Sequence, residues 1–398
     1  MGVWKDEFEQ YADFDYSLAA LNQSSTTKKA DVLKQLSGND LQIAVVNYES
    51  ARLLTDELLQ WGPCLVICDE GHRIKTHNSK QSKALHSIGK AAKYRLLLTG
   101  TLITNHTEDV FSPYKFLNPA VFGNSYYSWR SLYFDSYGYG NYQYRLKKSM
   151  EEEFLSKMHS IAYRTTKEQC LTLPPVTNVT RYIELEPSAA KLYSDISKEC
   201  YAELAGGEIS VTNVLTKLLR LSQLTGGFLT DDEGKSNAVS AAKLEALSDI
   251  VSDAVNENQK VVIIARFTAE INAICKMLEK QGISFARVDG SVKDRTAEVD
   301  KFQNDNNCMA FVGQIQVAGT GLTLTASSLM VLYSLDFSVA NHSQALARIH
   351  RSGQQHPCTY YYLLAKKTID TKLYQALQDK ADFARRMTDD FRQGFNPL

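Results

Sequence analysis

Residues 63–72 read PCLVICDEGH, an uncharged run that stops abruptly at two acids, a glycine and a histidine. The run from Pro63 to Asp69 is shorter than an ordinary helix and is bounded by turn-forming residues, so it predicts a buried strand. A strand with no polar alternation is covered on both faces, as strands of parallel sheets are. The pattern recurs outward from it. Residues 16–21, 41–47 and 93–99 read as strands, and residues 27–36, 50–61 and 79–90 as amphipathic helices between them. This alternation predicts an α/β lobe over residues 1–108, its parallel sheet covered on both faces.

From residue 109 to 240 aromatics and helical patterns dominate, and strand signal is confined to residues 177–185. Pro174 and Pro175 force an extended segment, and the polar residues 231–237 read as a loop. A second alternation begins at residue 241. Leu244, Leu247, Ile250, Val251 and Ala254 give residues 241–255 a helical period, and strands are expected at 260–265, 284–288, 308–312, 329–335 and 359–364. The expected organisation is two α/β lobes, 1–108 and 241–398, flanking a helical middle, 109–240.

Composition narrows the class. With 44% hydrophobic and 22% charged residues the chain has the balance of a soluble globular protein. No run approaches the ~18 apolar residues of a membrane span, and the start lacks a signal peptide's pattern. Of seven cysteines only Cys64 and Cys68 lie close together, inside the strand, which points to free thiols in a reducing cytoplasm rather than a disulfide framework or zinc site. A protein that coats nucleic acid with its whole surface is normally strongly basic; at a net charge of −1, nucleic-acid binding would need its cations gathered in a cleft, and charge alone neither supports nor excludes that.

Three strings carry chemistry. An Asp at the carboxyl end of a parallel strand, here Asp69, can hold Mg²⁺ through water, and Glu70 beside it can orient and deprotonate an attacking water. An acidic turn that caps a helix would use the same residues. The strand ending in Leu98, Thr99, Gly100 and Thr101 places hydroxyls where they can relay the state of a bound nucleotide, or simply cap a helix. In QALARIHRSGQ (344–354), Arg348 and Arg351 are three apart and would share one helix face, either solvated or aimed at a transferring phosphoryl group.

Taken together, DEGH (69–72), LLLTGT (96–101), YRTTKEQCLTLPP (163–175), VDGSV (288–292), AGTGLTLTAS (318–327) and QALARIHRSGQ occur in the order found in the Swi/Snf-type family, a branch of the superfamily-two helicases. The resemblance runs from about Val3 to Asp370, and the compact middle resembles versions carried by bacteria, phages and mobile elements. It implies two RecA-like lobes of the P-loop NTPase type with ATP and Mg²⁺ bound between them. Asp69 and Glu70 match the Mg²⁺-water and general-base positions and His72 the coupling position; Arg348 and Arg351 match the arginine fingers, with Gln344 leading their motif. Gly319 and Gly321 match a glycine motif near nucleotide and DNA, although the family usually has Asn where this chain has Thr323. Asn47, Tyr48, Lys75, Thr101, Arg266 and Thr320 fall where the family lines its duplex-DNA groove. Residues 126–148, rich in Tyr and Gly and then basic, can stack bases or form a packed protrusion.

A phosphate-binding loop needs Gly-x-x-x-x-Gly-Lys-Ser/Thr. Gly234-Lys235-Ser236 fails because Leu229 holds the first glycine position, and Gly89-Lys90 fails at Ala84 and Ala91. Trp4 and Glu7 resemble a segment that the family places after that loop, so the first lobe is expected to be incomplete. The expected function is a DNA-dependent ATPase that translocates on double-stranded DNA, present as a fragment that hydrolyses ATP poorly by itself. A non-catalytic DNA-binding or adaptor protein and a strand-separating helicase are the alternatives.

Overall fold

The computed structural model describes residues 2–100, 102–103, 106–138, 140, 143–206, 211–231, 233–318 and 321–389. The chain divides into two compact units: unit 1, Met1–Arg164 with Phe383–Leu398, and unit 2, Thr165–Asp382. Unit 1 contains β1 (Tyr16–Ala20), β2 (Leu41–Val45), β3 (Leu65–Asp69), β4 (Tyr94–Leu98), β5 (Phe134–Tyr137) and β6 (Gln143–Leu146). Unit 2 contains β7 (Val176–Ile183), β8 (Phe228–Thr230), β9 (Ser236–Ala238), β10 (Val261–Ala265), β11 (Ser284–Val288), β12 (Cys308–Gln314), β13 (Leu329–Leu332) and β14 (Cys358–Ala365).

In unit 2 a six-stranded parallel sheet runs in the order β11–β12–β10–β13–β14–β7. Every residue of β10 is fully buried, and its side chains alternate between two cores. Val262 and Ile264 pack with Phe311, Met330 and Leu332, while Val261 and Ile263 pack with Leu247, Ile274 and Val331. Each such side chain contributes about 1.5–3 kcal/mol on burial, which is why the strand is apolar without alternation. The next two strands in sequence lie on one side of β10 and the last two on the other, so the order reverses there. The loops at the carboxyl ends of a sheet with such a reversal are where doubly wound folds collect their ligands.

The edge strand β7 is paired with β14 along all eight residues, from Val176–Cys358 to Ile183–Ala365. The Pro174-Pro175 segment leads into this pairing, and the Pro175 carbonyl accepts from Cys358 N at 2.9 Å. Two short antiparallel pairs, β5–β6 and β8–β9, lie in stretches whose sequence reads as helix and loop. Among the described residues no helix is long and apolar enough to cross a membrane.

Unit 1 departs from the expected sheet covered on both faces. Its parallel strands form two separate pairs among the described residues, β1–β2 and β3–β4. Cys68 is buried and Val66 and Leu97 are half-buried, on the face that meets a core of Leu33, Leu54, Leu58, Leu85 and Ile88. The other face carries the cross-strand neighbours Leu65–Tyr94 and Ile67–Leu96, all about half exposed, and then Asp69–Leu98. An uncovered apolar face of this kind is a site of dye binding and self-association. Replacing Ile67 and Leu96 by Thr should therefore lower anilinonaphthalene sulfonate fluorescence of the folded chain at unchanged far-ultraviolet circular dichroism. Undiminished dye fluorescence would show the face to be covered in solution.

Candidate active site

In unit 1 the acids stand where β3 stops. Asp69 is the last strand residue, and Glu70 takes the left-handed conformation, φ 51° and ψ 50°. For a non-glycine residue this costs on the order of 1 kcal/mol, and it turns the chain at once into the short 3₁₀ helix Gly71–Ile74. That turn lies against β4. A Cβ on Gly71 would sit 2.1 Å from Leu97 Cγ, so only glycine permits the approach, and the fully buried Ile74 fixes it from below.

The approach brings His72 to both strand ends. Its Nδ1 lies 3.2 Å from Glu70 Oε2 and 3.4 Å from Thr99 Oγ1. One imidazole thus connects the acid after β3 with the hydroxyl after β4. Asp69 Oδ1 accepts from Glu70 N at 3.0 Å, and its backbone carbonyl accepts from the Tyr48 hydroxyl at 2.6 Å. Partial burial, followed by the Glu70 charge, holds the Asp69 carboxyl above its ordinary range. A cation at the carboxyl would act in the opposite direction. No group of three or more His, Cys, Asp or Glu side chains gathers to hold a metal among the described residues. A single exposed carboxylate is the kind of ligand that takes Mg²⁺ arriving on phosphates with several of its waters.

The other first-unit candidates are engaged locally. Asn47 caps the helix Tyr48–Leu53, its Oδ1 accepting from Ser50 N at 2.7 Å. Tyr48 spends its hydroxyl on Asp69, and burial, with Cys68 next, pushes its phenol proton affinity up. Lys75 Nζ lies 3.4 Å from Asp109 Oδ2. Thr99 is half-buried and Gly100 exposed. Thr101, Gly319 and Thr320 lie outside the described residues.

In unit 2 the two arginines converge. The helix Val339–Leu346, which carries the half-buried Gln344, ends before them, and Arg348 and Arg351 stand in the turns that follow, not on a shared helix face as expected. Even so, Arg348 Nη1 at 3.4 Å and Arg351 Nη1 at 3.5 Å both point to the carbonyl of Leu322, one residue after Gly321. Leu324 N donates to Arg348 O at 3.0 Å, tying the two loops together. The brace is Gln354, which is buried. Its amide donates to the carbonyls of Ser327 (2.9 Å) and Ile349 (3.1 Å), and its Oε1 accepts from Gln355 N and His356 N at 3.0 Å each. Gly353, at φ +93°, allows the turn that aims it. The segment read as YRTTKEQC also contributes: Lys167 Nζ donates to His350 O at 2.9 Å, and His350 Nε2 lies 2.9 Å from Pro174 O.

Arg266 follows the central strand β10. Its N–H donates to Ser334 Oγ at 2.8 Å and Glu270 Oε2 at 3.1 Å, and its carbonyl accepts from Gln314 at 3.2 Å. The guanidinium lies 5.0 Å from both the Phe267 and Phe337 ring centroids. Glu270 is fully buried, also accepts from Phe267 N and Ser334 Oγ, and is pushed by that burial up to about 7. The sequence reading passed over Gly71, Gln354 and Glu270. A glycine directly after a strand-end acid, and a Glu at the third position of the helix Thr268–Lys280, were the available signals.

Two RecA-like α/β lobes, with acids at the strand ends of one and paired arginines in the other, define a helicase-like protein. Residues 1–226 match the SNF2-related domain and residues 242–353 the helicase conserved C-terminal domain, and the chain belongs to the SNF2-related family. It is 25% identical to a DNA repair and recombination protein RAD54-like of Drosophila pseudoobscura pseudoobscura, over 97% of this chain and 54% of that protein. It is also 25% identical to an uncharacterized ATP-dependent helicase of Mycoplasma pneumoniae, over 96% of this chain and 36% of that one. The chain thus spans about half the length, or less, of these curated relatives. A solved Sulfolobus solfataricus SWI2/SNF2 ATPase core in complex with dsDNA aligns with 99% of this chain and 80% of its own, at 22% identity and a TM-score of 0.45.

Removing the brace should loosen the arginine loop. Gln354→Leu leaves buried carbonyls and N–H groups without their partner, and is expected to cost roughly 2–4 kcal/mol of unit 2 stability. Amide exchange at Leu324 should accelerate with it; unchanged protection there would refute the bracing role. Glu270 gives a pH signature. The folded carboxyl holds its proton up to about 7, against 4.5 ordinarily, so between these values the folded chain binds a proton that the unfolded chain has lost. This contribution is complete below the unfolded value and is lost as pH rises through about 7. Urea midpoints should fall over this interval, and less steeply in Glu270→Gln; parallel pH profiles for the two proteins would contradict it.

Proposed function

We propose that this chain is the greater part of a DNA-dependent ATPase that moves along double-stranded DNA, with water attacking the γ-phosphoryl group of ATP. The observation that carries the reading is the convergence of Arg348 and Arg351 on the Leu322 carbonyl. Two guanidinium groups aimed at one point suit an anion with several equatorial oxygens, because each can give parallel N–H donors to a different oxygen. In the other lobe, Glu70 has the chemistry to orient and deprotonate the water, and Asp69 would hold Mg²⁺ that neutralises phosphate charge.

His72 then acts as a sensor. A change in charge at Glu70 alters its pull on Nδ1, and Thr99 lies within reach of the same nitrogen. Tyr48 would position Asp69 through its carbonyl. Asn47, Lys75 and Arg266, with Thr101 and Thr320, would follow the phosphate backbone of the duplex, positioning it without reading its sequence. A RAD54-like DNA repair and recombination protein among the relatives supports DNA as the track. The 398 residues contain no Gly-x-x-x-x-Gly-Lys-Ser/Thr string, so turnover is proposed for the chain joined to a segment that supplies one, and poor turnover for the chain by itself.

In a polypeptide carrying such a segment upstream, Glu70→Gln should lower DNA-stimulated ATP hydrolysis by at least ~100-fold, the range of general-base catalysis, while duplex binding is retained. Full turnover in this variant would remove Glu70 from the reaction. Retained duplex binding with no hydrolysis in the parent polypeptide would favour an adaptor that only holds DNA.

A further inference from the structure

Residues 126–138 and 143–148 take no part in the chemistry above, yet they carry an unusual surface. The helix Tyr126–Tyr133 and the β5–β6 hairpin are anchored by a buried aromatic core that includes Phe111, Phe122, Trp129, Tyr133, Phe134 and Phe154. Along the hairpin the side chains alternate. Phe134, Tyr144 and Leu146 join that core, and Asp135, Tyr137, Gln143 and Arg145 are exposed. Packing explains the inner set. It does not explain why Tyr127 is 67% exposed and Tyr137 46% exposed, each with an arginine over its ring.

The Arg130 guanidinium stands 4.0 Å from the centre of the Tyr144 ring, 5.2 Å from Tyr126 and 5.5 Å from Tyr127. Arg145 stands 5.8 Å from Tyr137. The surroundings are positive: after burial, it is Arg130, Lys115 and Lys83 that depress the proton affinity of His77, whose ring stacks on Tyr126 at 3.7 Å. Two carboxylates temper this. Asp135 is the cross-strand neighbour of Arg145, and Glu108, held up mainly by burial, feels Arg130.

Exposed π-faces interleaved with cations match one polyanion chemically, a nucleic acid strand whose bases are free to stack. A duplex offers only phosphates to such a surface, because its base faces are already stacked on one another. We propose that two Tyr–Arg pairs, Tyr127 with Arg130 on the helix and Tyr137 with Arg145 on the outer face of the hairpin, make a second nucleic-acid contact, which takes unpaired nucleotides. The bases stack on Tyr127 and Tyr137, and the arginines meet the flanking phosphates.

The test uses the whole chain without ATP, so its outcome is independent of hydrolysis. Anisotropy of a fluorescein-labelled oligodeoxythymidine should report binding that Tyr127→Ala and Tyr137→Ala each weaken roughly 10-fold, within the range for loss of one stacked base. An abasic strand of equal length and charge should bind the parent chain as weakly as the variants bind the oligodeoxythymidine. Both tyrosines are surface residues, and circular dichroism verifies that the variants remain folded. No binding by the parent chain, undiminished affinity in both variants, or equal affinity for the abasic strand overturns the proposal. So does a duplex that binds the parent more tightly and loses as much in the variants, since that would make the two pairs a phosphate-reading surface.

Discussion

A parallel strand satisfies its backbone N–H and C=O groups only against its neighbours, and where a neighbour ends the ladder ends with it. At that edge the chain must turn, backbone groups become available, and polar side chains can stand in water while the strand behind them stays buried. The groups of interest in this protein follow that constraint. Asp69 is the last residue of β3, Thr99 follows β4, and Arg266 follows β10. Each strand fixes where its group stands by its pairing with a neighbour, and exposes it because the strand stops.

Placement at an edge does not bring groups together; close packing does that. Gly71 lets the turn after β3 touch Leu97, and only then does His72 reach both Glu70 and Thr99. In unit 2 the same task falls to a buried amide. Gln354 joins the loop ending at Ser327 to the turns that carry Arg348 and Arg351, and together with the Leu324 N to Arg348 O bond it holds two like charges toward one carbonyl. Glu270 has a parallel role at Arg266, and because it is fully buried its hold depends on whether it carries a proton. In each case a neighbouring residue fixes the geometry of a candidate site residue.

The uncovered face of β3–β4 and the exposed Tyr–Arg pairs of the protrusion are different kinds of exposure. The first is aliphatic apart from Tyr94 and the terminal Asp69, the composition of a face that a doubly wound sheet keeps dry. The second combines rings with guanidinium groups, a composition suited to water and to charged partners. Extent of exposure alone would have grouped them. The neighbours of each side chain separate them.

Local pattern was enough to reveal the α/β class, most strands, the acids after β3 and the arginine string, because periodicity, strand-end acids and glycine positions are written within a few residues. Family resemblance could be seen for the same reason. Pairing and partners were not legible. Nothing near residues 176–183 announces that β14, beginning at Cys358, is their neighbour, nor that one face of β3–β4 is bare, nor that Arg348 and Arg351 leave the helix and still converge. Those outcomes depend on contacts between residues far apart in sequence, whose free energies are realised only when the whole sheet is assembled. So the sequence determined which groups this protein has, and the tertiary structure decided which of them meet.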